Sequence, residues 1–286
     1  MKRILLAVPI ILALSFTAKK FKMKKENLVY VPAGTFEFAD KKISVNAFYM
    51  SSAEVTNAEY LAFVKDLKVN GNEKEYLIAL PDTMKWNTKN STNAPYMEYY
   101  FRHPAYANFP VVNITKEAAD LYCVWYTKMM LTKYPESNFN DFRLPSKEEW
   151  VYAAKGGLKS SSYPWGHGYT QKANGDYLAN FIRIGEHNIK RDSLGDIVVV
   201  KGDEFSGAHI NEAADILAPS ISFSPNGYGL YNMAGNAAEL VASDPVAMGG
   251  SWKSTGFDIK VTSEVSAKTA QPTVGFRMVS TFTHDK

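Results

Sequence analysis

"GLYNMAGNAAEL", Gly229 to Leu240, sets one carboxylate and two asparagines among glycines and alanines. A surface helix would interleave more charge, and a buried strand would tolerate Glu239 only with a partner for it. The stretch points to a bound cation. Small residues let the backbone fold closely, and calcium accepts amide and peptide oxygens readily. A plainer reading stands beside it, in which Asn232 and Glu239 cap local turns without an ion.

Outward from this stretch, three helices are legible through their caps. In "EVTNAEYLAFVKDL", Thr56 and Glu59 form a capping box, and Tyr60, Phe63, Val64 and Leu67 share one helical face. In "NITKEAADLYCVWYTKMM", Thr115 is the N-cap, and Ala118, Leu121, Tyr122, Trp125 and Met129 form an apolar stripe. In "LPSKEEWVYAAKGG", Ser146 and Glu149 make a second capping box, and Gly156-Gly157 stops the helix. Elsewhere short apolar stretches such as Ile197–Val200 and Val274–Val279 lie between glycines, prolines and asparagines. Asn72–Pro110 and Ile182–Pro225 show no clear period. This predicts an α+β domain over 29–282, with few helices packed on small sheets and long ordered loops.

The start of the chain is of another kind. "MKRILLAVPIILALSFTAKK" has a basic opening, an apolar run from Ile4 to Phe16, and then small residues. The run is short for a membrane span, which needs about 20 apolar residues. Residues 1–18 are predicted to be a secretory signal peptide, the alternative being an uncleaved membrane anchor, and 19–28 a solvated lead-in. A net charge of +3 is too mild for a nucleic-acid footprint. Cys123 is the single cysteine, so no internal disulfide forms. The five histidines show no metal-ligand spacing, and no phosphate loop, dinucleotide fingerprint or nucleophile elbow appears.

Taken in order, "VPAGTFEF", "SSAEVTNAEYLAFV", "FPVVNITKEAADLYCVW", "RLPSKEEWVYAAKGG", "SPNGYGLYNMAGNAAEL", "MGGSWKS" and "VGFRMV" resemble the formylglycine-generating enzyme (sulfatase-modifying factor) family. The resemblance covers residues 29–280. It implies a C-type-lectin-like variant, low in regular structure with small antiparallel sheets. It also implies a structural calcium ion on the side chains of Asn232 and Glu239 and the carbonyls of Gly235 and Ala237. A second calcium would fall on Asn180, the Phe181 carbonyl and a position near Glu212. There the sequence departs, with Glu for Asp and a longer loop.

The family's chemistry oxidises a substrate cysteine at a pair of cysteines that bind copper(I) as soft thiolates. By position those cysteines would be Ser254 and Ile259 in "GGSWKSTGFDIK". Neither offers a soft ligand, so no copper is expected and the chain is expected not to be an enzyme. In some members the counterpart of Cys123 is disulfide-bonded to a cysteine after "GFR", where Met278 stands here. Trp252 is read as core or as a wall of the vestigial groove, and Arg277 as a buried ion-pair partner.

The resemblance implies an exported non-catalytic binding or scaffold protein, periplasmic or at the cell surface of a bacterium. "YFRHPAYANFPVV" resembles a branch found in gliding-motility and type IX secretion envelope assemblies. Envelope proteins are the expected partners, with no nucleic acid. Membrane association comes only through partners or an uncleaved N-terminal segment. The aromatic run "YMEYYFRHPAYANF" is either packing or a recognition patch, with Tyr99, Tyr100, Phe101 and Arg102 as its anchors. The alternatives are an oxidoreductase with a centre rebuilt around Ser254 or Asp258, and a lectin-like ligand receptor.

Overall fold

The computed structural model describes residues 26–87, 93–135, 139–182, 216–243 and 245–282, with short pieces at 189–191, 193–194 and 197–199. The predicted signal peptide, most of the lead-in, and Glu212 lie outside the described residues. In chain order the elements begin with β1 (Leu28–Val31), β2 (Gly34–Phe38), β3 (Lys41–Val45), β4 (Phe48–Ser51), α1 (Asn57–Asn70) and α2 (Glu73–Ala79). There follow α3 (Tyr96–Tyr99), α4 (Lys116–Lys133), β5 (Phe139–Arg143), α5 (Lys147–Ala154), β6 (Ile189–Arg191) and β7 (Ile197–Val199). The last five are β8 (Ala238–Leu240), β9 (Val246–Met248), β10 (Glu264–Ser266), β11 (Val274–Gly275) and β12 (Val279–Phe282).

The helices start where their caps say. Thr56 accepts from the Glu59 amide while the Glu59 carboxylate takes the Thr56 amide, and Ser146 and Glu149 do the same ahead of α5. Thr115 caps α4 through the Ala118 amide. Tyr60, Phe63, Val64 and Leu67 are buried as expected. On α4 the buried face is turned slightly from the predicted stripe. Ala119, Cys123, Thr127 and Met130 are inside, while Leu121, Trp125 and Met129 are only partly covered. Gly156 follows α5 with φ +58, where its left-handed backbone ends the helix.

Two four-stranded sheets organise the chain. The first is antiparallel in the order β1-β4-β12-β5, so β12 lies between strands that precede it by more than a hundred residues. Alternation along β4 sends Phe48 and Met50 into one core cluster and Tyr49 towards the other, so both faces are covered. One face carries α1 and α4, knit by stacked Tyr60 and Tyr122 with Phe63 and Phe276 edge-on to Tyr122. The other carries α5 with Trp150 and Val151. The second sheet runs β10-β9-β8-β11, with β11 parallel to β8. Its strands are two or three residues long. That explains why Ala238–Leu240 read as a loop around a cation rather than as a strand.

Candidate functional site

The opening question has a direct answer in this sheet. Glu239, in β8, is fully buried, and so is Arg277, which lies between β11 and β12. Arg277 Nε donates to Glu239 Oε2 and Nη2 to Oε1, both at 2.6 Å, and Trp150 Nε1 donates to Oε2 at 2.7 Å. The remaining guanidinium donors reach the carbonyls of Ser51, Ser52 and Tyr231. The planar fork of arginine suits this bidentate work, and every donor is used. The ligand role expected of Glu239 is therefore corrected: its charge is already matched by Arg277. The buried ion-pair role read for Arg277 holds.

Around this pair sit further buried polar groups. Glu54 is 2% exposed, and its two oxygens accept from Asn236 Nδ2 (2.8 Å) and Asn232 Nδ2 (3.1 Å). Burial pushes its carboxyl up to about 8, against the pull of Arg277 and with the push of Glu239. Of the two buried carboxyls, Arg277 hydrogen-bonds only Glu239 and acts on Glu54 through its charge alone. Asn236 Oδ1 takes the Ala218 amide and Asn180 Nδ2, and Asn180 Nδ2 also donates to the Ile216 carbonyl. These amides tie residues 216–220 to the β8 loop.

Asn232 has φ 51, and its Oδ1 is buried with no hydrogen-bond partner among the described residues. Gly235, at φ +72, packs so closely that a Cβ there would lie 2.2 Å from the Asn180 carbonyl oxygen. An orphaned amide oxygen beside crowded backbone fits an oxygen-seeking cation at Asn232, and Glu239 does not. The carbonyls of Gly235 and Ala237 belong to the same turn. Of the second expected set, Asn180 is buried within the amide network, Phe181 packs in a small cluster, and Glu212 is outside the described residues. Among the described residues no group of three or more His, Cys, Asp or Glu could hold a metal.

The groove positions are filled by packing. Ile259 is fully buried against Tyr163, Phe181 and Ala234. Ser254 Oγ accepts the Ser251 amide at 2.9 Å, an ordinary turn contact. Trp252 donates from Nε1 to the Pro272 carbonyl and packs near Trp86, ring centroids 6.4 Å apart. Cys123 is buried, and burial raises its thiol far above the reactive range. Beside the groove, Phe257 is 70% exposed, with the Lys260 ammonium over its ring. The sequence reading passed over it, although a phenylalanine between glycine and aspartate in a turn was a visible signal.

The aromatic run is mostly core. Tyr100 and Phe101 are buried, Tyr100 against Trp86 at 4.8 Å with its hydroxyl on the Pro110 carbonyl. They are corrected from surface anchors to packing residues, because the turn after α3 folds them inward. Tyr99 and Arg102 remain exposed.

Residues 15–282 match the family described as "Sulfatase-modifying factor enzyme 1-like domain". The chain is 29% identical to a formylglycine-generating enzyme of Bos taurus over 244 residues, 74% of this chain and 56% of that protein. It is 25% identical to a protein named "Inactive C-alpha-formylglycine-generating enzyme 2" of Bos taurus, across 76% of this chain and 70% of the other. The chain thus spans little more than half the length of the first of these. Among solved structures, PvdO from Pseudomonas aeruginosa aligns over 89% of this chain and 94% of its own, with a TM-score of 0.54 and 17% identity. CarF aligns over 90% and 98%, with a TM-score of 0.57 and 17% identity. These two share the fold, few helices on small sheets. The matched span takes in both sheets and the Glu239–Arg277 pair, and the chain belongs to the sulfatase-modifying factor enzyme 1-like domain family.

Proposed function

We propose that the chain is an exported, non-catalytic binding or scaffold protein of a bacterial envelope assembly. One observation carries the non-catalytic part. Ser254 and Ile259 stand where the resemblance expects thiolates, one hydrogen-bonded within a turn and the other sealed in the core. Copper(I) needs soft, accessible thiolate ligands, and the single cysteine is buried near the middle of α4. The N-terminal apolar run supports export, and the "YFRHPAYANFPVV" resemblance supports an envelope partner. In this reading a calcium ion at Asn232 Oδ1 and the Gly235 and Ala237 carbonyls serves shape.

The test is incubation of the purified protein with copper and a cysteine-containing peptide. The expected result is no oxidation beyond a copper-only control. Turnover that disappears in Ser254→Ala would replace this reading with an oxidoreductase built on a new centre. For the scaffold role, gentle extraction of the tagged protein from its own cells is expected to bring down stable envelope proteins, and recovery as a lone monomer would count against it.

A further inference from the structure

A cavity of about 470 Å³ opens between the segment after β4, the first turn of α1, the face of α4 and residues 219–221. It shares no lining residue with the Gly249–Lys260 segment. Glu26, Glu54 and Glu59 all line it, and among the described residues no Lys, Arg or His does. Two of these carboxylates have local duties. Glu26 pairs with Lys133, and Glu59 takes the amide and hydroxyl of Thr56 through Oε2. Glu54 accepts one amide N–H on each oxygen, which leaves further acceptor capacity on both. The guanidinium behind it is spent on Glu239 and backbone carbonyls.

The second observation is independent of charge. Ser220 is 1% exposed and lines the same cavity, and its Oγ has no hydrogen-bond partner among the described residues. Buried hydroxyls are almost always satisfied, so an unsatisfied one beside a cavity points to a bound group. The α4 wall supplies Tyr122 and Tyr126, stacked at 6.1 Å. A space of this size, part aromatic and part acceptor-lined, suits a small organic molecule and is far larger than one metal ion needs.

We propose that this cavity binds a small molecule carrying a primary ammonium on a short apolar body. Glu54 in its ionised form and Ser220 Oγ accept its N–H groups, and the Tyr122–Tyr126 wall meets its hydrocarbon. An ammonium has three donors and no acceptor, which matches a lining of oxygens. The proposal does not depend on the scaffold reading.

The experiment is calorimetric titration of the full chain with butylammonium chloride, compared with tetramethylammonium and calcium chlorides at equal ionic strength. Saturable butylammonium binding is expected, with tetramethylammonium, which has no N–H, at least about tenfold weaker. Ser220→Ala removes an atom without a partner, so the variant is expected to fold and to bind butylammonium roughly tenfold more weakly. Absence of saturable butylammonium binding would overturn the proposal. So would equal affinity for tetramethylammonium, unchanged affinity in Ser220→Ala, or displacement of butylammonium by calcium at lower concentration.

Discussion

Glu239 shows how far a single residue can be read alone. Its need for a charge partner follows from its apolar neighbours, but the partner lies 38 positions away, between β11 and β12. Local spacing cannot reveal such a pairing, whereas a calcium ion would satisfy the same local pattern. The pair makes a sharp prediction. Removing one member of a buried ion pair leaves the other charge stranded, at a cost of about 3–5 kcal/mol. Glu239→Gln and Arg277→Met are each expected to lower the urea midpoint by that equivalent, with the slope of the transition unchanged. The double variant should recover only part of the loss, because Arg277 also satisfies the carbonyls of Ser51, Ser52 and Tyr231. Asn232 tests for an ion better than Glu239 does, because its Oδ1 has no hydrogen-bond partner among the described residues, whereas both Glu239 oxygens accept from Arg277. Calcium bound at a hundredfold excess over its dissociation constant stabilises by about 2.7 kcal/mol, and each kcal/mol is worth roughly 2–4 °C. A chelator should therefore lower the melting temperature of the parent chain by several degrees and leave that of Asn232→Ala unmoved. A parent melting curve indifferent to the chelator would remove calcium from the account.

Among the elements, those with chemical punctuation were legible. α1, α4 and α5 each begin at a Thr or Ser whose hydroxyl takes a first-turn amide, a signal carried by adjacent residues. α2 escaped notice because Asn72–Pro110 shows no period, and only Ala79 of its seven residues is buried. The strands escaped for a different reason: β8, β9 and β11 are too short for a period of two to show. Their positions are fixed by long-range packing instead. Gly235 is one such fixture, since an added Cβ would collide with backbone at Asn180 rather than with a side chain able to move. Gly235→Ala is expected to destabilise markedly, whereas Ser146→Ala should cost about 1 kcal/mol as the loss of an N-cap. Denaturation midpoints of the two variants check this ranking.

For the molecule as a whole, the buried carboxyls set a pH profile. Glu54 has its pKa raised on folding by burial, so the native state holds a proton that the unfolded chain has released. Stability should then fall as pH rises between about 4.5 and about 8, and level off above. Burial alone would raise Glu149, but hydrogen bonds from Arg143 and the Ser146 backbone hold it below its ordinary value. Its contribution is present above the ordinary carboxylate range and is lost only as the medium becomes more acidic. The two windows do not overlap. A higher urea midpoint at about pH 5.5 than at about pH 8.5 is expected, and Glu54→Gln should flatten the difference. A parent midpoint that rises over this interval would contradict the buried-acid account.

The order of strands also bears on when the domain can form. β12 fills the gap between β4 and β5, and Arg277 reaches back 226 positions to the Ser51 carbonyl. While the chain is being synthesised, everything up to α5 has emerged without the strand that joins it. Long-range pairings of this kind close late, and a nascent chain must wait for roughly 250 residues before its sheet is complete. A fragment ending before Val274 should accordingly remain open to protease at concentrations the whole chain resists. On the export route proposed for this chain, that delay would keep it threadable until it had crossed the membrane.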